Sequence, residues 1–365
     1  MRIRSISAVL ALTLLSLVVA APAGAAPPRD ELRKDLRAVV AAGATSAIAE
    51  ITGPSGTRRA AAGVAELGRP TPAPVGGRFR IGSVSKTFLA TVVLQLAAER
   101  RLTLDDTVER WLPGIVPDGD GITLRQLLDH TSGLYNYTAA LDLSPAGWLP
   151  QRYRSWDPAE LVALATAKPP LFAPGTDWSY SNTNYVLLGM VVKAATGRHY
   201  STEIQRRIIG PLGLRQTESP GERVRISGPH AHGYLPVGPA GAEKPVDVTS
   251  YNPSIADAAG DMISSTADLN RFFRALLGGR LLPPAQLDAM TTMRTVAPGS
   301  GYGLGLETTT LSCGITLYGH GGGIFGYATN TLHTRDAKRQ LSISVTPYVG
   351  DPGAAFESLI DNAFC

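Results

Sequence analysis

The sequence predicts an α/β (α+β) fold: an antiparallel sheet flanked by helices, with a helical lobe inserted between its two halves. Three observations lead there. Strand patterns lie near both chain ends, helical patterns and long loops fill the middle, and no internal repeat divides the 365 residues. Strands that far apart share a core if both termini join one sheet. An α/β lobe from about 30–85 plus 250–365 and a helical lobe over about 86–249 follow from this placement.

The elements take their order from local signals. Arg2 and Arg4 precede an apolar run from Ile6 to Ala20 that ends in Ala23-Gly24-Ala25. That is the basic, apolar and small-residue layout of a secretory signal peptide. The run is short for a membrane span of about 20 residues. The expectation is removal near Ala25, one folded domain over 26–365, export, and no stable membrane span. Pro28 to Ala42 reads as a helix. Ser46 to Ile51 and Thr57 to Val64 read as strands joined at Gly53-Pro54-Ser55-Gly56. Val84 to Arg101 has apolar residues at helical spacing and an Ala/Leu-rich composition. Further helices are expected at Leu124 to Leu128, Pro158 to Ala167, Asn184 to Ala195 closed by Gly197, and Ala267 to Leu277 ended by Gly278-Gly279. Pro236 to Pro245 reads as an exposed loop. The tail reads as three strands, Ile315 to Gly319, Ala328 to His333 and Leu341 to Pro347, with turns at Gly321–Gly323 and Asp336-Ala337. A helix from Pro352 to Phe364 follows.

Composition excludes several classes. Hydrophobic residues at 44% and charged residues at 18% fit a compact globule. The net charge of +4 draws half its value from Arg2 and Arg4, and no Lys/Arg run clusters, so no nucleic-acid partner is expected. The six histidines and two cysteines lack metal-ligand spacing, so neither a metal nor another cofactor is expected. Cys313 and Cys365 either pair as one disulfide, the usual outcome for two cysteines in an oxidising compartment, or stay as two unrelated buried thiols.

Three motifs carry chemistry. The first is Ser83-Val84-Ser85-Lys86, the only S-x-x-K in the chain. On a helix, positions i and i+3 share a face, which brings the Lys86 amine to the Ser83 hydroxyl. A serine needs a base to become a nucleophile, and a lysine serves if its pKa is depressed. The bland alternative is an N-cap serine with a solvated lysine. The second is Tyr180-Ser181-Asn182, a phenol for proton transfer and an amide to bind a carbonyl or orient a lysine. Its alternative is a polar loop before an N-capped helix. The third is His320-Gly321-Gly322-Gly323, whose glycines let backbone N–H groups approach a ligand and fill an oxyanion hole. Its alternative is a glycine-rich hairpin turn. A lipase-type H-G-G-G loop would require a G-x-S-x-G elbow, which the chain lacks.

In this order the three motifs resemble those of penicillin-binding proteins and β-lactamases, in the class C-like branch. The chain looks most similar to the secreted actinomycete D-alanyl-D-alanine carboxypeptidases. The likeness extends through Leu127-Leu128-Asp129-His130-Thr131-Ser132-Gly133-Leu134, His232-Gly233-Tyr234, Ile263-Ser264-Ser265-Thr266-Ala267-Asp268-Leu269 and Gly301-Tyr302-Gly303-Leu304-Gly305-Leu306. The resemblance implies the serine β-lactamase/penicillin-binding-protein-like fold and an acyl-enzyme on Ser83. Lys86 and Tyr180 would move protons, and Asn182 would meet the acyl-side amide of the substrate. His320 would hold the third-motif cation position and support Tyr180. The N–H groups of Ser83 and Gly323 would form the oxyanion hole, with Gly321 and Gly322 lining the substrate site. His130 would be structural. A Cys313–Cys365 disulfide is also implied.

Two positions depart from that pattern. Gly321 stands where the carboxypeptidase-like motif usually has a threonine hydroxyl, and Glu307 stands where an arginine would receive the terminal carboxylate of the substrate. Both changes oppose a free carboxylate. The expected function is a serine-type D-Ala-D-Ala carboxypeptidase acting on peptidoglycan stem peptides as a monomer, with β-lactams as inhibitors. The alternatives are a related esterase, D-aminopeptidase, amidase or β-lactamase, or a silent peptidoglycan-binding homologue.

Overall fold

The computed structural model describes residues 28–365 apart from Ala240, so the expected signal peptide lies outside the described residues. One antiparallel sheet of eight strands organises the chain. Its order from edge to edge is Gly56–Gly63, Ala44–Gly53, Gln340–Pro347, Tyr327–His333, Thr316–Ile324, Glu307–Thr310, Ser300–Tyr302 and Arg294–Ala297. Strands from the two chain ends pair directly, with Ala49 opposite Ile343 and Ile51 opposite Leu341. The termini therefore join one sheet, as the strand placement predicts.

Strand alternation decides what covers each face. Ala47, Ala49 and Ile51 point to the outer face, where Leu341 and Ile343 join them. The apolar stripes of the helices Pro28–Ala41 and Gly353–Phe364 cover this layer with Leu32, Leu36, Leu359 and Phe364. The opposite face packs on Thr266–Leu277, and Asn270 on that helix donates its side-chain N–H to the Glu50 carbonyl at 3.3 Å. Beneath it lies Ser85–Ala98, in which Phe88, Leu89, Val92, Val93 and Leu96 are all solvent-inaccessible. This helix is apolar around its circumference, the pattern of a helix enclosed by protein. Phe88 stacks on Phe272 with ring centroids 3.7 Å apart. Asn182–Thr196 packs against it and ends at Gly197, whose φ of 72° makes the left-handed stop.

Several expectations are corrected. Gly321–Gly323 is not a turn: it lies inside the strand Thr316–Ile324, and the chain reverses one step later at Gly326, with φ 75°. The central helix starts at Ser85 after a 3₁₀ turn, Gly82–Val84, and stops at Ala98 because Arg100 takes a left-handed φ of 57°. Pro236 to Pro245 is not simply a loop, since Tyr234–Val237 pairs with Lys244–Asp247 as a hairpin. The three strands between Arg294 and Thr310 were not anticipated; their short, polar sequences lack alternation. A further two-stranded pair, Phe79–Arg80 with Ile263–Ser264, fixes the chain just before Ser83. The two cysteines form the disulfide Cys313–Cys365, which ties the last residue to the loop before the His320 strand.

One buried segment bears on the site. Asp257 and Asp261 flank Ala259; Asp261 accepts hydrogen bonds from Tyr200, at 3.0 Å, and from Ser219. Burial pushes both carboxyls up to about 7. The folded chain thus holds protons that an unfolded aspartate, with a pKa of about 4, has already released. The stabilisation is complete below about pH 4 and is lost as pH rises through 7. Melting curves between pH 5.5 and 8.5 are expected to show a steeper loss of Tm for the wild type than for Asp261→Asn. Parallel curves would refute the assignment.

Candidate active site

Ser83 sits in the tight turn that leads into the buried helix, so the helix N-terminus faces any negative charge developing there. The turn is built for close approach. Gly82 has φ 50°, and a Cβ added to it would lie 2.9 Å from the Gly323 carbonyl oxygen. A Cβ on Gly322 would come within 2.0 Å of the Ile81 carbonyl oxygen. Glycine at both positions lets the strand Thr316–Ile324 lie directly on the Ser83 turn. The N–H groups of Ser83 and Gly323 thereby belong to two backbones in contact, around one cavity that both residues line.

Lys86 is fully buried. Its amine lies 3.0 Å from Ser83 Oγ, 2.7 Å from Asn182 Oδ1 and 2.8 Å from the Ala259 carbonyl oxygen. Burial drives its pKa well below the ordinary lysine value, against a smaller opposing pull from Glu307. As an ammonium Lys86 donates to all three oxygens; once neutral it keeps its donors on Asn182 Oδ1 and Ala259 O and can turn its lone pair to the Ser83 O–H. Asn182 is held in that orientation: its side-chain amide donates to Asn136 Oδ1 at 3.3 Å and Thr138 Oγ1 at 3.4 Å.

The Tyr180 ring lies 4.9 Å from Lys86 Nζ, centroid to nitrogen. Its hydroxyl is buried without a partner of ordinary hydrogen-bond geometry. Burial raises its pKa well above the usual phenol value, and the Ser83 hydroxyl beside it only partly offsets this. A proton is therefore removed more readily by Lys86 than by Tyr180.

His320 does not bond Tyr180; their ring centroids are 6.5 Å apart. Its Nε2 meets the Tyr302 hydroxyl at 3.0 Å, and its Nδ1 lies 2.6 Å from the Gly321 carbonyl oxygen and 3.5 Å from Glu307 Oε1. The tautomers follow from one fixed donor. The Ser181 backbone N–H donates to His130 Nδ1 at 3.2 Å, so His130 carries its proton on Nε2 and donates it to Tyr302 Oη, 3.1 Å away. Tyr302 then donates to His320 Nε2, and His320 holds its proton on Nδ1, towards Gly321 O and Glu307. Burial lowers the pKa of both histidines, with Glu307 partly opposing this at His320. The third-motif histidine is thus neutral and oriented rather than a fixed cation.

Glu307 is anchored where the resemblance would place an arginine. Its Oε2 accepts the Gly321 N–H at 2.9 Å. The structure brings all the expected residues, Ser83, Lys86, Tyr180, Asn182, Glu307, His320 and Gly321–Gly323, around one centre. The sequence reading missed Asn136, Thr138, Tyr302 and the Ala259 carbonyl. Tyr302 stood in a quoted motif without a role, and a backbone carbonyl leaves no trace in a sequence. Two cavities are lined by these residues. One, of 230 Å³, holds Ser83, Asn182 and Gly323 with apolar walls from Leu143, Ile255 and Phe325. The other, of 540 Å³, is lined by Tyr180, His320 and Glu307. Among the described residues, no group of three or more His, Cys, Asp or Glu could hold a metal ion, and no helix is long and apolar enough to cross a membrane.

Residues 32–352 match the family model described as Beta-lactamase. A solved structure, the D-stereospecific amidohydrolase from Streptomyces sp., is 43% identical with a TM-score of 0.84, covering 93% of this chain and 99% of that one. Among curated proteins, a D-aminopeptidase of Cereibacter sphaeroides is 32% identical over 78% of this chain and 52% of its own length. Penicillin-binding protein 4* of Bacillus subtilis is 29% identical over 76% of this chain and 63% of its own length. The chain thus spans about half to two thirds of these curated relatives.

Two variants test the geometry, with acylation followed by a chromogenic ester or labelled penicillin. Lys86→Met is expected to slow acylation by at least about 10³-fold. In the wild type the rate should rise with pH to a plateau whose midpoint lies well below the ordinary lysine pKa; a midpoint at that value would place an ammonium beside Ser83. Tyr302→Phe removes the hydroxyl between the two histidines and should reduce acylation roughly ten-fold while Lys86 keeps its pH midpoint. An unchanged rate would show that the histidine chain does not orient the site.

Proposed function

The chain belongs to the beta-lactamase family, and from that premise we propose that it is an exported serine hydrolase that cleaves amides of hydrophobic D-amino acids through an acyl-enzyme on Ser83. Lys86 takes the Ser83 proton as the hydroxyl attacks the amide carbonyl. The Ser83 and Gly323 N–H groups receive the oxyanion. Tyr180, beside Lys86, hands the proton to the departing nitrogen. Water then takes the place of the amine and the same groups release the acid.

The observation that carries this reading is the placement of Glu307. Its carboxylate is held by the Gly321 N–H beside His320, in a cavity lined by Tyr180 and distinct from the one that holds Ser83 and Asn182. A leaving group ending in a free carboxylate would be brought against it, with neither an arginine nor a hydroxyl at position 321 in compensation. An amide leaving group carries no such charge. The apolar walls of the acyl cavity suit a hydrophobic side chain. The D-stereospecific amidohydrolase and D-aminopeptidase relatives support the same substrate class over the D-Ala-D-Ala carboxypeptidase expected from motif order.

D-phenylalanine amide is expected to be hydrolysed with a kcat/KM at least about ten-fold above that for D-Phe-D-Ala with its free carboxylate, and far above that for L-phenylalanine amide. Ser83→Ala should abolish all turnover. Glu307→Arg combined with Gly321→Thr should narrow or reverse the amide preference. A wild type that prefers the free carboxylate would overturn the amidase reading.

A further inference from the structure

The segment that supplies the Ala259 carbonyl does more than meet Lys86. It runs along the whole Ser83 turn. The Ile81 N–H donates to the Met262 carbonyl oxygen at 3.0 Å, and the Met262 N–H donates to Ser85 Oγ at 3.2 Å. Lys86 Nζ donates to the Ala259 carbonyl oxygen at 2.8 Å. Three bonds thus bracket Ser83, one before it in the chain and two after it. Gly260 lies against the same turn: a Cβ added to it would stand 3.5 Å from the Gly82 carbonyl carbon. Ala259 and Gly260 also line the cavity that holds Ser83.

Asp261 stands between Gly260 and Met262, but its buried carboxyl is bonded elsewhere. One oxygen, Oδ2, accepts two hydroxyls, from Tyr200 at 3.0 Å and from Ser219. Tyr200 opens the helix Tyr200–Ile204. Ser219 follows Glu218, whose backbone exchanges two hydrogen bonds with Ile263, both at 2.9 Å. A single oxygen therefore joins the brace of the Ser83 turn to two residues that do not line the Ser83 cavity. Without that acceptor both hydroxyls lose a partner and the brace loses two of its anchors.

We propose that Asp261 is a positioning residue for acylation: by holding Tyr200 and Ser219 it fixes the backbone from Ala259 to Met262, and through that backbone the Ser83 turn and the Lys86 amine. The inference rests on the acyl-enzyme reading above. The role asks for an acceptor shared by two hydroxyls, which the side-chain oxygen of an asparagine also provides. Small movements here are felt at the reacting atoms, since a misplacement of about 1 Å caused far from the chemistry costs up to about 10²-fold in rate. Support of this kind acts on the rate of the bond-forming step and leaves the affinity for the acyl donor largely unchanged.

The test follows acylation of Ser83 in the folded protein by a labelled penicillin, with a chromogenic ester as a second acyl donor. Each time course yields the fraction of protein that reacts and the rate constant of that fraction. Loss of folding lowers the fraction, whereas loss of position lowers the rate constant. Asp261→Ala is expected to react fully but about ten-fold more slowly. Asp261→Asn should stay within about two-fold of the wild type. Tyr200→Phe combined with Ser219→Ala should reproduce the slow rate, and adding both to Asp261→Ala should change it little, because the three residues act as one unit. If Asp261→Ala does not fold, the Tyr200 and Ser219 pair carries the same comparison. A wild-type rate constant in Asp261→Ala or in the paired variant, or equal slowing by Asp261→Asn and Asp261→Ala, overturns the positioning role. Failure of the wild type to react with either donor overturns the acyl-enzyme reading instead.

Discussion

The site depends on one buried amine. Lys86 Nζ touches oxygens from three separate parts of the chain: Ser83 on its own helix turn, Asn182 at the start of another helix, and the Ala259 carbonyl in the buried segment between two aspartates. A lysine removed from water is costly as an ammonium, and the fold meets that cost by favouring the neutral form. The amine beside Ser83 is thus also the point on which three separate segments converge. Changes at Asn182 or in the 257–261 segment would reach Ser83 through this nitrogen.

The second constraint is steric. The strand carrying His320 reaches the Ser83 turn only because Gly82 and Gly322 present no side chains at the contact. Small residues here are a condition for two backbones to share one site, so the glycine run is a strand adapted to close approach rather than a flexible turn. The same strand is held at its other end by the Cys313–Cys365 disulfide and by the outer helices. Precision at Gly323 and Glu307 is therefore supplied from the far side of the sheet.

How much of this was legible followed the reach of each signal. The Ser83 and Lys86 pair could be read because its partners lie three residues apart on one helix. The strands at the chain ends could be read because burial on one face imposes alternation. The strands from Arg294 to Thr310 escaped because a Thr-rich edge has no apolar alternation to reveal it. The glycine segment was misread because a strand and a turn both tolerate glycine, and only the contact with Ile81 and Ser83 separates them. His320 was found as a residue but not in its bonding: its state is set by a chain that begins at the Ser181 backbone N–H and passes through His130 and Tyr302.

Glu307 belongs to a different part of the site from Ser83 and Lys86. The Ser83 hydroxyl and the Lys86 amine lie together at the start of the buried helix. The Glu307 carboxylate is held by a backbone N–H that any residue at 321 other than proline would provide. On the proposed reading leaving-group charge can be altered without disturbing the nucleophile, because the two functions hang on different elements: the buried helix carries one and the strand Glu307–Thr310 the other. With glycine at 321 no hydroxyl competes for the Glu307 carboxylate, and the cavity beyond it is acidic up to the C-terminal helix. The physical content of the family resemblance is thus divided. What is shared lies at the helix N-terminus, and what departs from the motif pattern is Glu307, a carboxylate held by the Gly321 N–H.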